Sequence, residues 1–267
     1  MHGPALSRLL AGLAAGLIVP ALAWAEPTTH ACSAPTALLR LGQPLPRMAQ
    51  RLARHEPVTI VAIGSSSTAG AGASSPAASY PSRLAIELKA RFPRETFKVI
   101  NRGVNGEEIS DMLARFADGV LKEKPDLVLW QVGTNSVLRD HPLGQMNPSI
   151  IDGVRQLREI GADVVMIDPQ FTPQVIAKVD AQAMVQLIST TAKAANVDLI
   201  QRFAVMRYWH DDEHMDFSEF ASPDLLHMND WSYACLAKLI TASISEAALR
   251  NVAAAQAGYL GHAAMTH

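Results

Sequence analysis

Cysteine is nearly absent from this sequence, with only Cys32 and Cys235 among 267 residues. Two cysteines allow at most one bridge, so a disulfide-stapled scaffold is excluded. Charge of either sign is not in excess. Lys and Arg number 23 against 25 Asp and Glu, a net charge of −2. Nucleic-acid binding calls for a clustered basic surface, and no nucleic-acid partner is expected here. Past the N-terminus no run is long and apolar enough to span a bilayer, so no stable membrane insertion is expected. Tandem repeats and heptads are missing too. The Gly/Ala/Ser-rich stretch 70–79 has no phosphate-loop lysine, and reads as a flexible rim. His210-Asp211-Asp212-Glu213-His214 spaces two histidines four apart without the H-E-x-x-H order of a zinc site. A solvated lid or rim is the expectation there, and no metal.

What is present begins with a leader. Arg8 precedes the apolar run 9–19, then come Pro20 and Ala23-Trp24-Ala25. A charged start, an apolar middle and an A-x-A exit form the pattern of a secretory signal peptide cleaved near Ala25. The apolar run is short for a membrane anchor. Periplasmic or secreted localisation follows, and loss of Arg8 takes the net charge to −3. In an oxidising compartment Cys32 and Cys235 can pair, tying the N-terminal stretch to the last helix; two separate buried thiols are the alternative. Residues 26–56 read as an N-terminal extension and 57–267 as one domain, a length that suits a single core.

Five short apolar runs mark strands: Val58–Ile63, Phe97–Ile100, Leu127–Val132, Val164–Ile167 and Val197–Ile200. Rich in β-branched residues and bounded by Gly, Pro, Asn or Asp, they suit strands buried on both faces. Helices are expected over Leu45–Ala53, Ser82–Phe92, Ile109–Lys122, Ile150–Ile160, Asp180–Ala195 and Tyr233–Ala254. Strand–helix alternation repeated five times implies an α/β fold of three layers, α/β/α. The expected sheet is parallel, five-stranded and flavodoxin-like, with order 2-1-3-4-5.

In such a sheet, ligands bind beyond the carboxyl ends of the strands. Chemistry-bearing residues gather at those ends. A Ser-rich turn, Gly64-Ser65-Ser66-Ser67-Thr68, follows the first strand. Asn101-Arg102-Gly103-Val104-Asn105-Gly106 follows the second, and Gly133-Thr134-Asn135-Ser136 the third. Far downstream lies Asp224-Leu225-Leu226-His227. A serine nucleophile needs a base, and the base needs an orienting acid. These parts suit a nucleophilic hydrolase, although the residues alone leave Ser65, Ser66 and Ser67 equivalent. Taken singly, each residue also fits an ordinary role as a helix cap or turn former.

Four blocks in this order resemble the SGNH hydrolase superfamily, also called GDSL esterases. The resemblance runs from about Val58 to the last helix and gives Ser66 the nucleophile's place. It implies His227 as the base, Asp224 as its partner, and an oxyanion hole from the Ser66 and Gly103 N–H groups and the Asn135 amide. No metal or cofactor is implied. Two departures stand out: Ser65 replaces the Asp of G-D-S, and Ser136 replaces the Asp that often follows the block-three Asn. A glycine at 103 is expected because a side chain would crowd the substrate oxygen. Trp130-Gln131, Phe171 and Tyr208-Trp209 are candidate pocket walls.

The resemblance implies an exported serine esterase acting on short acyl esters, O-acetyl among them, on a small molecule or carbohydrate. A lysophospholipase or thioesterase would use the same residues with a longer apolar trough. An O-acyltransferase would pass the acyl group to a sugar hydroxyl instead of water. A carbohydrate-binding protein with a decayed site is the non-enzymatic alternative.

Overall fold

The computed structural model describes Met1 and residues 30–264, without the side chains of Gln145 and of residues 251–264. The expected leader over residues 1–25 lies, apart from Met1, outside them. The described residues from Cys32 onward form one compact unit.

Five strands make a single sheet: β1 (Val58–Gly64), β2 (Phe97–Gly103), β3 (Leu127–Gln131), β4 (Asp163–Ile167) and β5 (Asp198–Ile200). All pairs are parallel, in the order β2-β1-β3-β4-β5. Alternation along each strand splits the core in two. Val58, Ile60, Ala62, Leu127, Leu129, Val165 and Ile167 face one side with the Tyr80–Arg91 helix and the long C-terminal helix. Val61, Ile63, Val128, Trp130, Val164 and Met166 face the other, with the Met146–Glu159 and Ala181–Ala194 helices. The layered α/β/α expectation and the strand order both hold.

Three local differences have physical causes. The second strand runs three residues further than its apolar stretch, because Gly103 pairs in register with Gly64 on β1. It is also only half-buried, being an edge strand with one neighbour. The single helix expected over Ile109–Lys122 breaks after Ala114. There Arg115 leaves helical geometry (φ −113°, ψ 11°), and its guanidinium turns back to Glu107 (2.5–2.9 Å) and the Arg102 carbonyl (2.8 Å).

Residues 32–56 belong to the same compact unit as the sheet and put Leu41, Leu45, Met48 and Leu52 into the core. They are fastened at the amino edge of the strands by three aspartates. Asp198 accepts the Gly42 (2.7 Å) and Gln43 (3.1 Å) N–H groups. Asp163 accepts those of Arg47 (3.2 Å) and Met48 (2.9 Å). Asp126 binds the Arg47 and Arg51 guanidinium groups (2.9 and 2.8 Å). The two cysteines are bonded, joining Cys32 to Cys235 across 203 residues.

Candidate active site

Strand β1 delivers Ser66 to the carboxyl edge of the sheet. It is the first residue of a four-residue helix, Ser66–Ala69, so its N–H has no intrahelical acceptor. Gly103 closes β2 at the same level. A Cβ there would stand 2.1 Å from the Ala69 nitrogen and 2.5 Å from the Thr68 carbonyl carbon. This glycine thus answers to a backbone neighbour that the sequence did not show. It lets β2 abut the short helix that carries Ser66.

Asp224 and His227 occupy a loop closed by an antiparallel bridge between Ala221 and Met228. Leu225 takes left-handed geometry (φ 57°), at a cost of about 1 kcal/mol for a side-chain-bearing residue. The turn aims the Leu226 and His227 N–H groups at Asp224 Oδ1, each at 2.9 Å. Ser222 Oγ donates to the same oxygen at 2.6 Å.

Across the sheet edge the three side chains meet. His227 Nδ1 lies 2.6 Å from Asp224 Oδ2, and His227 Nε2 lies 2.8 Å from Ser66 Oγ. A carboxylate only accepts, so Nδ1 carries the proton and Nε2 is left to accept from the Ser66 hydroxyl. Partial burial acts to raise the Asp224 pKa. It is outweighed by Ser222, the His227 ring and the two backbone N–H groups, which hold the carboxyl well below the usual range. Asp224 thus stays ionised, its side chain 46 % exposed; His227 is 15 % exposed.

The three expected oxyanion donors stand in different states. Ser66 N–H meets no protein acceptor among the described residues. Asn135 Nδ2 gives one hydrogen to the Glu107 carbonyl (2.8 Å) and keeps the other. Gly103 N–H is already engaged by Asn101 Oδ1 (2.9 Å).

Several residues singled out in the sequence have other roles here than expected. Ser65, standing where the family pattern has Asp, is buried and donates its N–H (2.8 Å) and hydroxyl (3.0 Å) to Gln131 Oε1. Gln131 is thus a buried brace, not a pocket wall. Trp130 lies in the core against Phe116. Trp209 is buried too, its ring N–H on the Ser33 carbonyl. Phe171 is half-buried between Phe203 and Phe217. The stretch 70–79 is braced: Ser74 N–H and Oγ bind Asp230, and Tyr233 donates to the Ala71 carbonyl. His210 lies in the last turn of the Arg202–Asp211 helix and stacks on Phe217 at 4.4 Å, while Asp211, Asp212 and His214 are exposed. Among the described residues no group of three or more His, Cys, Asp or Glu is placed to hold a metal.

With this geometry in place, the family is decided by the match of residues 31–250 to the model of the non-GDSL lipase-like family. The chain belongs to that family. Its membership agrees with the SGNH-type blocks and with the departure at Ser65. A 56-residue stretch is 36 % identical to an acetylxylan esterase of Geobacillus stearothermophilus, covering 21 % of this chain and 26 % of that one. Among solved structures, a two-domain esterase active on acetylated mannans superposes with a TM-score of 0.66 at 22 % identity, over 79 % of this chain and 56 % of that one. A variant of an acetylxylan esterase from Geobacillus stearothermophilus gives 0.60 at 19 %, over 70 % and 94 %. The structural likenesses bear on the fold. The chain spans about a quarter of the curated relative and about half of the mannan esterase.

Proposed function

We propose that this non-GDSL lipase-like protein is an exported serine esterase that removes acetyl or other short acyl groups from carbohydrate hydroxyls. The observation that carries the reading is the unbroken line Ser66–His227–Asp224, with contacts of 2.8 and 2.6 Å.

In the proposed reaction Ser66 Oγ bonds to the ester carbonyl carbon while its proton passes to His227 Nε2. Asp224, ionised and multiply bonded, stabilises the imidazolium without taking its proton. Ser66 N–H and the second Asn135 amide hydrogen hold the oxyanion, and Gly103 joins them once Asn101 Oδ1 turns aside. Collapse breaks the bond to the sugar oxygen, which leaves with the proton from Nε2. Water then attacks the acyl-serine, its proton goes to His227, and Ser66 Oγ departs and is reprotonated.

The substrate class is supported by the acetylxylan esterase match and by the mannan esterase fold. Export is supported by the leader pattern and by the Cys32–Cys235 bridge, a bond of oxidising compartments. The test compares wild type with Ser66→Ala on p-nitrophenyl esters of increasing chain length and on acetylated xylan and mannan oligosaccharides. Wild type should favour acetate and release it from the sugars, and Ser66→Ala should lose at least about 10³-fold in kcat. A maximum at long acyl chains, or undiminished turnover by Ser66→Ala, would overturn the reading.

A further inference from the structure

We propose that Gln170 is a positioning residue: its buried carboxamide fastens the His227 loop to the turns that present Ser66 and Asn135. Gln170 lies just beyond β4 and is fully buried. Its Oε1 accepts from Thr134 Oγ1 (3.0 Å), from Arg202 Nη2 (3.0 Å) and, at the long limit, from Ser67 Oγ (3.4 Å). Its Nε2 donates to the Leu226 carbonyl (3.1 Å). Ser67 follows Ser66, Thr134 precedes Asn135, and Leu226 precedes His227. One side chain therefore touches the chain neighbour of the nucleophile, of an oxyanion donor and of the base.

The chemistry of this spot selects an amide. Arg202 can only donate, and the Leu226 carbonyl can only accept. A group placed between them must accept on one side and donate on the other, which a carboxamide does without charge. Arg202 is itself fully buried and held by the Asp168 carbonyl (2.9 Å), so its position is fixed. Gln131 extends the brace: it accepts from Ser65 and donates to Thr134 Oγ1 (3.5 Å). Thr172 Oγ1 adds a second bond to the Leu226 carbonyl (3.0 Å). No carboxylate is needed beside the nucleophile in this arrangement, which agrees with serine at position 65. Within this buried network Arg202 Nη1 has no partner, so the fastening rests on the carboxamide's own four contacts.

The proposal rests on the Ser66–His227 reading of the site. Its test uses Gln170→Glu, which keeps the Arg202 and hydroxyl contacts but faces the Leu226 carbonyl with an oxygen. Thr172→Val removes the other bond to that carbonyl at nearly constant shape. Turnover of p-nitrophenyl acetate is measured per active site, titrated by fluorophosphonate capture of Ser66. Gln170→Glu should lower kcat about 10- to 100-fold with KM within about threefold, the size expected of an ångström-scale misplacement. Thr172→Val should lower kcat less, and the double variant should fall short of the summed effects, since both changes act on one oxygen. An unchanged kcat per site in Gln170→Glu, with only the folded fraction or Tm reduced, overturns the proposal. So does strict additivity. Should wild type show neither turnover nor capture, the esterase reading fails, and the low-field His227 Nδ1 proton resonance decides the positioning claim. A resonance displaced or broadened by Gln170→Glu sustains it, and an unaltered one overturns it.

Discussion

Gly72 lies directly behind His227: a Cβ at position 72 would come within 2.7 Å of His227 Cβ and 2.5 Å of the Met228 carbonyl oxygen. The residue also has φ +85°, which side chains rarely adopt. Both constraints trace to a loop that looked like a loose rim in the sequence. Gly72→Ala should push the imidazole off its line to Ser66, reducing kcat about 10- to 100-fold, and should destabilise by about 1–2 kcal/mol. Steady-state kinetics with thermal melts check it; full kcat with unchanged Tm would contradict the close packing.

Among the described residues, Ser222 and His227 supply the side-chain bonds to the Asp224 carboxyl. Removal of the Ser222 hydroxyl should let the Asp224 carboxyl rise toward the ordinary value. A depressed carboxyl contributes stability that is present above the unfolded value near 4 and is lost as pH falls through the folded one. Ser222→Ala should therefore begin its acid unfolding at higher pH than wild type. Because Asp224 is half-exposed, the loss at pH 7 should be at most about 1 kcal/mol. Urea melts across the acid range measure it; coincident acid limbs would count against the assignment.

The opposite sign holds at the amino edge of the sheet. Burial, the largest influence, pushes Asp163 up to about 6 despite its two backbone donors. A raised carboxyl favours the folded state most below the unfolded value near 4, and that advantage fades as pH climbs through 6. The effect is on the order of 3 kcal/mol. Asp163→Asn should flatten the fall in stability between about pH 4 and pH 7. Tm against pH for both proteins tests this, and parallel curves would show that Asp163 is not the source.

Reducing the Cys32–Cys235 bond, or replacing both with serine, should lower Tm and leave turnover of the folded protein intact. Cys235 packs in the core and Cys32 against it, and neither takes part in the bonds of Ser66, His227 and Asp224. The chain-entropy ceiling for so long a loop is roughly 5 kcal/mol. Denatured, unreduced protein should titrate no free thiol.

Asn101 occupies the Gly103 amide. Asn101→Ala frees that donor, so kcat should hold steady or rise a few-fold; one oxyanion donor is worth up to about 10²–10³ when fully engaged. A tenfold fall on p-nitrophenyl acetate would mean that the asparagine shapes the oxyanion hole instead of blocking it.

The sheet order was legible because β-branched runs alternating with helical stretches admit few topologies. Strand-end placement pointed to the Ser-rich turn, and the resemblance of the four blocks to the SGNH superfamily then named Ser66, Asp224 and His227. Gln170 and Ser222 could not be named, and Gln131 was expected as a pocket wall instead of a brace. A buried amide or hydroxyl is recognised by what surrounds it, and those neighbours come from four separate loops. The backbone contact that demands glycine at 103 was not legible, since a sequence does not show which backbone will lie against it. The Ile109–Lys122 helix was overextended for a related cause. Apolar periodicity continued, but the pull of Glu107 on Arg115 came from outside the window.

The amino-edge aspartates carry a practical meaning for anyone reshaping this protein. Trimming it to start at the first strand would look harmless on paper, because every residue named in catalysis would survive. Yet Asp126, Asp163 and Asp198 would then face one another's end of the sheet with their guanidinium and amide donors from residues 42–51 gone. Such a shortened version would be betrayed by Asp126 and Asp163 repelling each other and Asp198 left unmatched, at the edge of the sheet opposite its chemistry.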